Sequence, residues 1–407
     1  MKKCPVEFWI WLQTALGAGA RTDEILAYFE TPEELYLAGS DEWRLSGLFT
    51  EKKMAALKRT SPSETGSVLN ECRNKGYDII TPDMPAYPDM LKNLTDMPLV
   101  LYSYGDSSVL SRKLTIGMVG TRKASEYGIH TAQKLSYQLA QAGALIVSGG
   151  ALGIDSEAHA GAMLAKGETV AFLGCGLSVD YLKENASLRR AIARHGAVVS
   201  EYQPSTPASR TTFPIRNRLI SGLSLGIVVV EAGIKSGSLI TVNRALEQGR
   251  DVYAVPGDIV RSSFNGTNHL IQNGVKPVFS AADILCEYEY LHGDLFNIEN
   301  VGSDISQVEY VDYRNYKKSQ AAPIQVVNEE QQKEQPTEAE PVIKKELPDG
   351  ISDEARLVYS AIGSEPVHVD DIVRKTDLKM NIVLSSLTEL ELFGCVEPMN
   401  GKKYKSL

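Results

Sequence analysis

The sequence has few cysteines and none of the spacings that turn cysteines into structural cross-links. Its five cysteines among 407 residues are scattered, with no CxxC pair and no Cys/His cluster. We therefore expect neither a disulfide framework nor a metal site, and the pattern is typical of a protein from a reducing compartment.

Long apolar segments are also missing. Near the N-terminus, only residues 8–12 are continuously apolar, because Glu7 and Gln13 interrupt the stretch. That is too short for a signal peptide, and no segment reaches the roughly 18 apolar residues of a membrane helix. We expect a soluble, cytoplasmic protein with no membrane partner.

The two common nucleotide fingerprints are absent as well. Gly117 and Gly120 are spaced as GxxG, and the run Gly174-Cys175-Gly176 is not followed by the third glycine, because position 179 is Val179. There is no GxxxxGK[ST] run. We therefore expect the protein neither to bind NAD nor to be a P-loop ATPase, and we predict no cofactor.

The charge is unevenly distributed along the chain. Lysine and arginine number 42 against 51 acidic residues, a formal net charge of −9. Residues 284–350 contain fourteen acidic and six basic residues and so account for −8, whereas residues 205–276 contain eight basic and four acidic residues. The whole-chain charge is therefore poor evidence about binding partners.

Residues 1–75 show short helical patterns joined by glycine turns at Gly17-Ala18-Gly19 and Ser46-Gly47. Two such helix–turn–helix units resemble a helix-hairpin-helix or sterile-alpha-motif-like module. In the first of these, turn amides hold a DNA phosphate; the alternative is a small bundle used for packing or protein contact.

Residues 76–300 are predicted to form an α/β domain. Its proline-rich start, 76–110, reads as an extended connector that feeds a sheet edge. Six short apolar segments then alternate with helical patterns, as buried parallel strands do, and they predict a Rossmann-like doubly wound parallel sheet. The strand candidates are 114–119, 144–148, 169–173, 197–200, 226–231 and 252–255.

Two further segments follow the α/β domain. Residues 301–349 are rich in Gln, Glu, Pro and Lys, which indicates a flexible acidic linker. Residues 350–407 contain three helical patterns and a hairpin signal at Asn400-Gly401, which together predict a C-terminal winged helix.

Glycine-rich and polar residues follow several of the predicted strands. Parallel strands end at one edge of a sheet, and glycine lets backbone amides approach an anion there. We therefore predict a phosphate-binding site at four strand ends, which carry the runs Gly120-Thr121-Arg122, Ser148-Gly149-Gly150, Gly174-Cys175-Gly176 and Ser236-Gly237-Ser238.

The most distinctive run is Phe213-Pro214-Ile215-Arg216-Asn217-Arg218, which we interpret as a basic loop within residues 205–276. We predict that Arg216 and Arg218 clamp successive phosphates, with Asn217 beside them, and that Phe213 stacks on an unpaired base. Arg122 and Lys235 would extend a cationic track long enough for a polymer. The alternative is that Phe213 is a core residue and both arginines pair with acidic neighbours.

Taken together, these runs resemble the DprA/Smf family, the DNA-processing proteins of bacterial transformation. The resemblance covers about residues 75–285 and rests on these runs: Gly120-Thr121-Arg122, Tyr127-Gly128, 148–155 with His159, 213–223, Glu231-Ala232, Ser236-Gly237-Ser238, Val255-Pro256-Gly257, Gly266-Thr267-Asn268 and Leu270-Ile271. It implies a homodimer that binds single-stranded DNA, loads RecA onto it during DNA uptake and recombination, and catalyses no reaction.

Two other functions stay open at this stage. A nucleotide phosphoribohydrolase would need a carboxylate close to its glycine loop, but no acid follows Ser236-Gly237-Ser238 until Glu247, and Asp155 is better suited to orienting its own loop. A transcription regulator would use the winged helix to read duplex DNA. Protein contact is an equally good role for that domain.

Two smaller expectations complete the set. His159 has no nucleophile partner in the sequence, so we interpret it as a structural histidine or a phosphate contact. The dimer interface is expected at the sheet edge near the last strand, with His269, Leu270 and Val278 as its residues.

Overall fold

A nine-stranded sheet organises the first of two units into which the chain divides, residues 1–322 and 323–407. The structure is a computed structural model, and it describes residues 2–296, 351–362, 367–376, 378–393, 395–399 and 403–406. The predicted linker 301–349 and the turn at Asn400-Gly401 lie outside the described residues.

The sheet is Rossmann-like in its central strands. Its order is β1-β2-β6-β5-β4-β3-β7-β8-β9, and all neighbours from β6 to β9 are parallel, whereas β1 and β2 are antiparallel additions at one edge. The bounds of the strands are β1 Asp78–Ile80, β2 Leu101–Gly105, β3 Thr115–Val119, β4 Leu145–Ser148, β5 Thr169–Leu173, β6 Gly196–Ser200, β7 Gly226–Val229, β8 Asp251–Ala254 and β9 Lys276–Pro277. All six predicted strands are confirmed.

Helices cover both faces of the sheet, so the predicted doubly wound α/β class is confirmed. Alternate strand residues separate the two cores: Val119 and Val147 face one side with residues of α10 and α11, and Met118 and Ile146 face the other with residues of α7 and α8. The helices of the α/β part are α6 Asp89–Lys92, α7 Glu126–Gln141, α8 Ile154–Leu164, α9 Ala186–His195, α10 Thr212–Gly222, α11 Ser238–Glu247, α12 Asn265–Gln272, α13 Ala282–Leu285 and α14 Glu289–His292.

One segment differs in kind from the expectation. The run that contains Phe213, Arg216 and Arg218 was interpreted as a loop, but it forms helix α10. In chain order this helix follows β6 and precedes β7. Its apolar side packs against the sheet through Leu219, Ile220 and Leu223.

The N-terminal helices pack directly on this sheet. They are α1 Val6–Leu16, α2 Asp23–Phe29, α3 Pro32–Leu45, α4 Glu51–Arg59 and α5 Gly66–Lys75. Trp9, Leu35 and Leu57 of these helices belong to the same buried cluster as Val199 of β6. In addition, the Gln13 side chain accepts a hydrogen bond from Val100 N (2.9 Å) and donates one to Val100 O (3.3 Å). Residues 1–75 are therefore part of the first unit.

In the second unit, the described residues form three helices and a three-stranded sheet of order β10-β12-β11. Its elements are α15 Asp353–Ala361, β10 Val367–His368, α16 Val369–Thr376, α17 Met380–Leu392, β11 Val396–Met399 and β12 Lys403–Ser406. Val358, Ile372 and Leu387, one from each helix, meet in its core. The predicted winged helix is thus confirmed. Met380 and Leu384 are 40% and 45% exposed on α17.

Within the described part of the chain, no helix is both long enough and apolar enough to span a bilayer.

Candidate nucleic-acid interface

A pocket of about 710 Å³ opens at the carboxyl edge of the central strands. It lies where the strand order reverses, because β4 follows β3 on one side while β7 lies on the other. Open α/β sheets bind their ligands at this position. The lining residues come from the ends of β3 and β4, the first turn of α8, the segment between β5 and α9, the segment 208–220 and the start of α11: Val119, Gly120, Thr121, Arg122, Ala151, Asp155, Tyr181, Ala208, Ser209, Arg210, Phe213, Pro214, Arg216, Asn217, Ile220, Ser236, Gly237, Ser238, Ile240 and Thr241.

Two exposed arginines lie at this pocket. Arg122 follows β3, and Arg210 precedes α10 by two residues. Neither guanidinium takes part in any ion pair found among the described residues. Arg122 was a predicted site residue; Arg210 was not, although it lies in the same basic stretch. Both positive charges are available to an anion.

An aromatic pair lines the same pocket. The rings of Phe213 and Tyr181 have centroids 5.2 Å apart at an interplanar angle of 43°, and the Arg122 guanidinium carbon lies 5.4 Å from the Phe213 centroid. Both aromatic residues are only partly buried. Gly174 makes room for the phenyl ring, because a Cβ atom there would lie 2.6 Å from Phe213 Cδ1. The geometry offers a stacking surface beside a cation.

The loop that carries Arg122 is fixed from below by Glu231. The buried Glu231 carboxylate accepts hydrogen bonds from Ser125 N (2.9 Å) and Ser125 Oγ (2.8 Å), and Glu231 O accepts one from Thr121 N (2.7 Å). Ser125 is the N-cap of α7. The loop from Gly120 to Ser125 is therefore held at both of its ends while Arg122 stays exposed.

The loop Ser148-Gly149-Gly150 does not line the pocket, and here the prediction is wrong. Ser148 is fully buried and donates its hydroxyl proton to Met118 O at 2.6 Å. The backbone N–H groups of Gly149 and Ala151 are directed at the carboxylate of Asp155, on the first turn of α8. The anion that this glycine loop holds is thus internal. Burial raises the pKa of Asp155, while Arg216 and these amides oppose the rise.

Arg216 forms the floor of the pocket. Its guanidinium is 4% exposed and donates to Gly149 O (2.7 Å) and Phe172 O, while its Nε donates to Asn217 Oδ1 (3.1 Å). Burial lowers the pKa of Arg216, and Asp155 opposes that effect. Arg216 therefore joins the ends of β4 and β5 and contributes positive potential from below, with Asn217 beside it.

Arg218 does not reach the pocket, which corrects the predicted clamp of two arginines. It is 1% exposed, and its Nη2 contacts both carboxylate oxygens of Glu201, at 2.7 and 2.8 Å, while its Nε lies 3.1 Å from Asp96 Oδ2. Residues two apart on a helix point in nearly opposite directions. Once Arg216 faces the pocket, Arg218 must face the interior.

The first glycine turn of the N-terminal helices meets the same carboxylate. Gly19 N donates to Glu201 Oε1 at 3.2 Å, and a Cβ atom on Gly19 would lie 2.8 Å from Ile215 Cγ2. This turn therefore holds an internal carboxylate in place of the DNA phosphate that the helix-hairpin-helix interpretation offered.

The remaining predicted residues fall into two groups. Gly120, Thr121, Ser236, Gly237 and Ser238 line the pocket, and their contact with phosphate stays a prediction. Lys235 is exposed on the adjoining loop but is not part of the lining, so its contribution to a cationic track stays a prediction.

His159 is a structural residue, as interpreted. It is fully buried, and its Nδ1 lies 2.7 Å from the hydroxyl oxygen of Thr169, whose own proton is donated to Ile146 O. Nδ1 must therefore be the donor. Burial, assisted by Arg216, lowers the pKa of His159 to about 3. Because the side chain is fully buried, it does not contact a phosphate.

The acids offer little to a hydrolase mechanism. Asp155 is the carboxylate in the pocket lining, and it is occupied by the loop amides. Glu247 is exposed near the end of α11 and pairs with Arg244 at 2.8 Å. Glu247 is therefore not placed to attack or protonate a nucleoside in this pocket.

Comparison with known proteins identifies the family. The model of the family described as DNA recombination-mediator protein A matches residues 78–289, more than half of the chain. The chain belongs to this family. A second model, the DprA winged helix domain, matches residues 332–402, and the resemblance to the DprA/Smf proteins is thereby confirmed.

Several members of the DNA recombination-mediator protein A family are similar over long stretches. DNA processing protein DprA of Bacillus subtilis is 43% identical over 220 residues, which is 54% of this chain and 74% of that protein. Protein Smf of Synechocystis is 32% identical over 352 residues, covering 83% and 82%. The X-ray structure of DprA from Streptococcus pneumoniae matches 70% of this chain and 99% of its own, with a TM-score of 0.61 and 33% identity.

The buried pair of Arg218 and Glu201 should stabilise the first unit. We expect Arg218→Ala to lower the free energy of unfolding by about 3–5 kcal/mol, because it leaves the Glu201 carboxylate buried without its cation. Chemical denaturation followed by tryptophan fluorescence measures this. The matched control is Arg244→Ala, which breaks an exposed Arg–Glu pair at 2.8 Å and should cost below about 1 kcal/mol. Equal losses in the two variants would contradict the assignment.

Proposed function

We propose that this pocket binds the backbone of single-stranded DNA, and that the protein thereby processes incoming DNA for recombination without catalysing a reaction. One observation carries this proposal: two exposed guanidiniums, Arg122 and Arg210, which have no ion pair among the described residues, share a pocket with the partly exposed rings of Phe213 and Tyr181. Guanidiniums bind phosphates, and aromatic rings stack on bases of any identity.

The dimensions of the pocket favour a single strand. A volume of about 710 Å³ admits one or two nucleotides, whereas paired bases of a duplex present no free face to Phe213. The relatives named DNA processing protein DprA, in Bacillus subtilis and Streptococcus pneumoniae, support a role in DNA processing. From the family we also infer that the bound strand is handed to RecA during transformation.

Binding should be salt-dependent through Arg122 and Arg210. Arg122→Ala and Arg210→Ala should each weaken binding of oligothymidylate and lower the slope of log K against log salt by about 0.7, because each removes one phosphate contact. Fluorescence anisotropy at several salt concentrations measures this. Lys113→Ala is the matched control. Lys113 is an exposed cation that precedes β3, so it lies at the amino ends of the parallel strands, whereas the pocket lies at their carboxyl ends. Unchanged slopes in folded Arg122 and Arg210 variants would refute the proposed site.

Loading of RecA should depend on the same pocket. We expect the wild-type protein to speed the onset of RecA-dependent ATP hydrolysis on a strand precoated with single-strand-binding protein, because a strand held at the pocket is presented to RecA. The Arg122→Ala variant should lose this acceleration in proportion to its loss of DNA affinity, and Lys113→Ala should keep it. No acceleration by the wild type would remove RecA from the proposal.

We further propose a homodimer through the sheet edge at β9. This edge is a two-residue strand, Lys276–Pro277, and it is followed by the 68% exposed Phe279. His269 is exposed and Leu270 partly exposed on α12, but Val278 is 1% exposed and belongs to the core, so its expected place in the interface is wrong. An edge strand with apolar neighbours is a surface that a second copy can cover.

Charges at this edge should therefore dissociate the dimer. Leu270→Glu and Phe279→Glu should convert it to a monomer at micromolar concentration, because each places an unpaired charge in the buried contact. Light scattering gives the mass, and Leu45→Glu, at an exposed leucine of α3, is the control. A dimer that survives both changes would place the interface elsewhere, and a monomeric wild type would refute the dimer itself.

A further inference from the structure

A second depression lies next to the first on the same edge of the sheet. It has a volume of about 460 Å³ and is lined by Tyr127, Pro256, Gly257, Asp258, Arg261 and Phe264. Pro256 follows β8 by two residues, and β8 is the neighbour of β7, whose end adjoins the DNA pocket. Neighbouring strands are about 4.8 Å apart, so the two depressions share one edge.

The chain itself connects the two depressions. Arg122 lies in the first, Lys123 is exposed next to it, and Tyr127 lies in the second, on the first turn of α7. Glu231 holds the intervening loop through Ser125. A strand that leaves the first pocket past Lys123 therefore meets Tyr127 next.

Tyr127 is fixed in position while its ring remains accessible. Its hydroxyl donates to Pro256 O at 3.1 Å, and its ring meets that of Phe264 edge to face, with centroids 5.6 Å apart. The residue is nevertheless 49% exposed. A fixed, half-exposed ring loses little conformational entropy when a flat ligand stacks on it.

The wall opposite Tyr127 is equally well fixed. Asn268 accepts a hydrogen bond from Gly257 N (3.1 Å) and donates one to Gly257 O (3.0 Å), which holds the backbone of the loop. A Cβ atom on Gly257 would overlap the ring of Phe264. The runs Tyr127-Gly128, Val255-Pro256-Gly257 and Gly266-Thr267-Asn268, which the phosphate pocket leaves without a role, thus meet around this depression.

Charge at the rim selects the part of a nucleotide that can enter. Asp258 lies in the lining, and Arg261 is only loosely paired with it, at 3.7 Å. The two charges roughly cancel, so the rim has no net positive charge to attract a phosphate. Ile259 and Val260, 85% and 87% exposed, add an apolar margin. A neutral, flat, largely apolar group is what these walls accept.

We propose that this depression is a base-stacking subsite for a further nucleotide of the bound single strand, with its base against Tyr127 and its phosphate on the side of Lys123. The subsite rests on the proposed function of the first pocket. It extends the contact beyond the nucleotides that Arg122 and Arg210 hold, and it requires no particular base because stacking is sequence-tolerant.

Length-dependent binding tests the subsite. Oligothymidylates of about 2 and about 12 nucleotides are titrated by anisotropy, since only the shorter fits the first pocket alone. Tyr127→Ala should weaken binding of the longer oligonucleotide about 5- to 100-fold, because one stacked base is lost, and leave the shorter within about twofold. Tyr127→Phe should restore binding, because the ring remains.

The matched control is Tyr104→Ala. Tyr104 is 41% exposed and meets Tyr77 edge to face at 5.8 Å, but it lies on β2, which four strands separate from β7 and five from β8. Its loss should leave both lengths unchanged. If Tyr127→Ala is poorly folded, Val260→Asp replaces it, because a carboxylate added at that exposed position should weaken only the longer oligonucleotide.

Three outcomes would overturn the subsite. Wild-type binding by Tyr127→Ala at both lengths, with Arg122→Ala weakened, leaves the first pocket intact and removes the second. An equal loss at both lengths makes Tyr127 a support for the first pocket only. Unweakened binding by Arg122→Ala refutes the proposed function and the subsite with it.

Discussion

The buried contact of Arg218 with Glu201 is the interaction on which the rest of the first unit depends. Arg218 lies on α10, Glu201 directly follows β6, Asp96 lies in the connector, and Gly19 belongs to the turn between α1 and α2. A buried carboxylate needs every hydrogen bond it can obtain, so these four segments are positioned together. Because the contact sets the rotation of α10 about its axis, it also determines that Phe213, Arg216 and Asn217 face the pocket.

Internal carboxylates explain which of the glycine-rich segments can still bind a phosphate. Asp155 takes the amides of Gly149 and Ala151, and Glu201 takes that of Gly19. A site that already holds a carboxylate excludes a second anion by repulsion and by loss of donors. What remains for a ligand is the outer rim, where Arg122 and Arg210 have no partner among the described ion pairs. The buried carboxylates are therefore satisfied by internal donors, while the exposed arginines at the rim stay available to a phosphate.

The six strands β3–β8 and four helices of the α/β part, α7, α8, α9 and α11, could be predicted because short β-branched runs and helical periodicity are local signals. Helix α10 was missed although Ile215, Leu219 and Leu223 recur every four residues, since the polar run around Arg216 was interpreted for its chemistry alone. On a helix, Arg216 and Arg218 point in nearly opposite directions, so the helical periodicity already predicts that only one of them faces the pocket. Tyr181 and the pairing of Arg218 with Glu201 depend on contacts between distant segments, for which one sequence carries no local signal.

The formal net charge of −9 is a poor guide to DNA binding, and the reason is physical. Electrostatic interactions are screened within about 8 Å at physiological ionic strength. A bound DNA strand therefore responds to the charges at its contact surface and not to the net charge of the whole protein. At the pocket, Asp155 is the acid in the lining and is neutralised by amides and by Arg216, whereas Arg122 and Arg210 are exposed. The local potential is therefore positive, although the acidic residues of 284–350 make the whole chain negative.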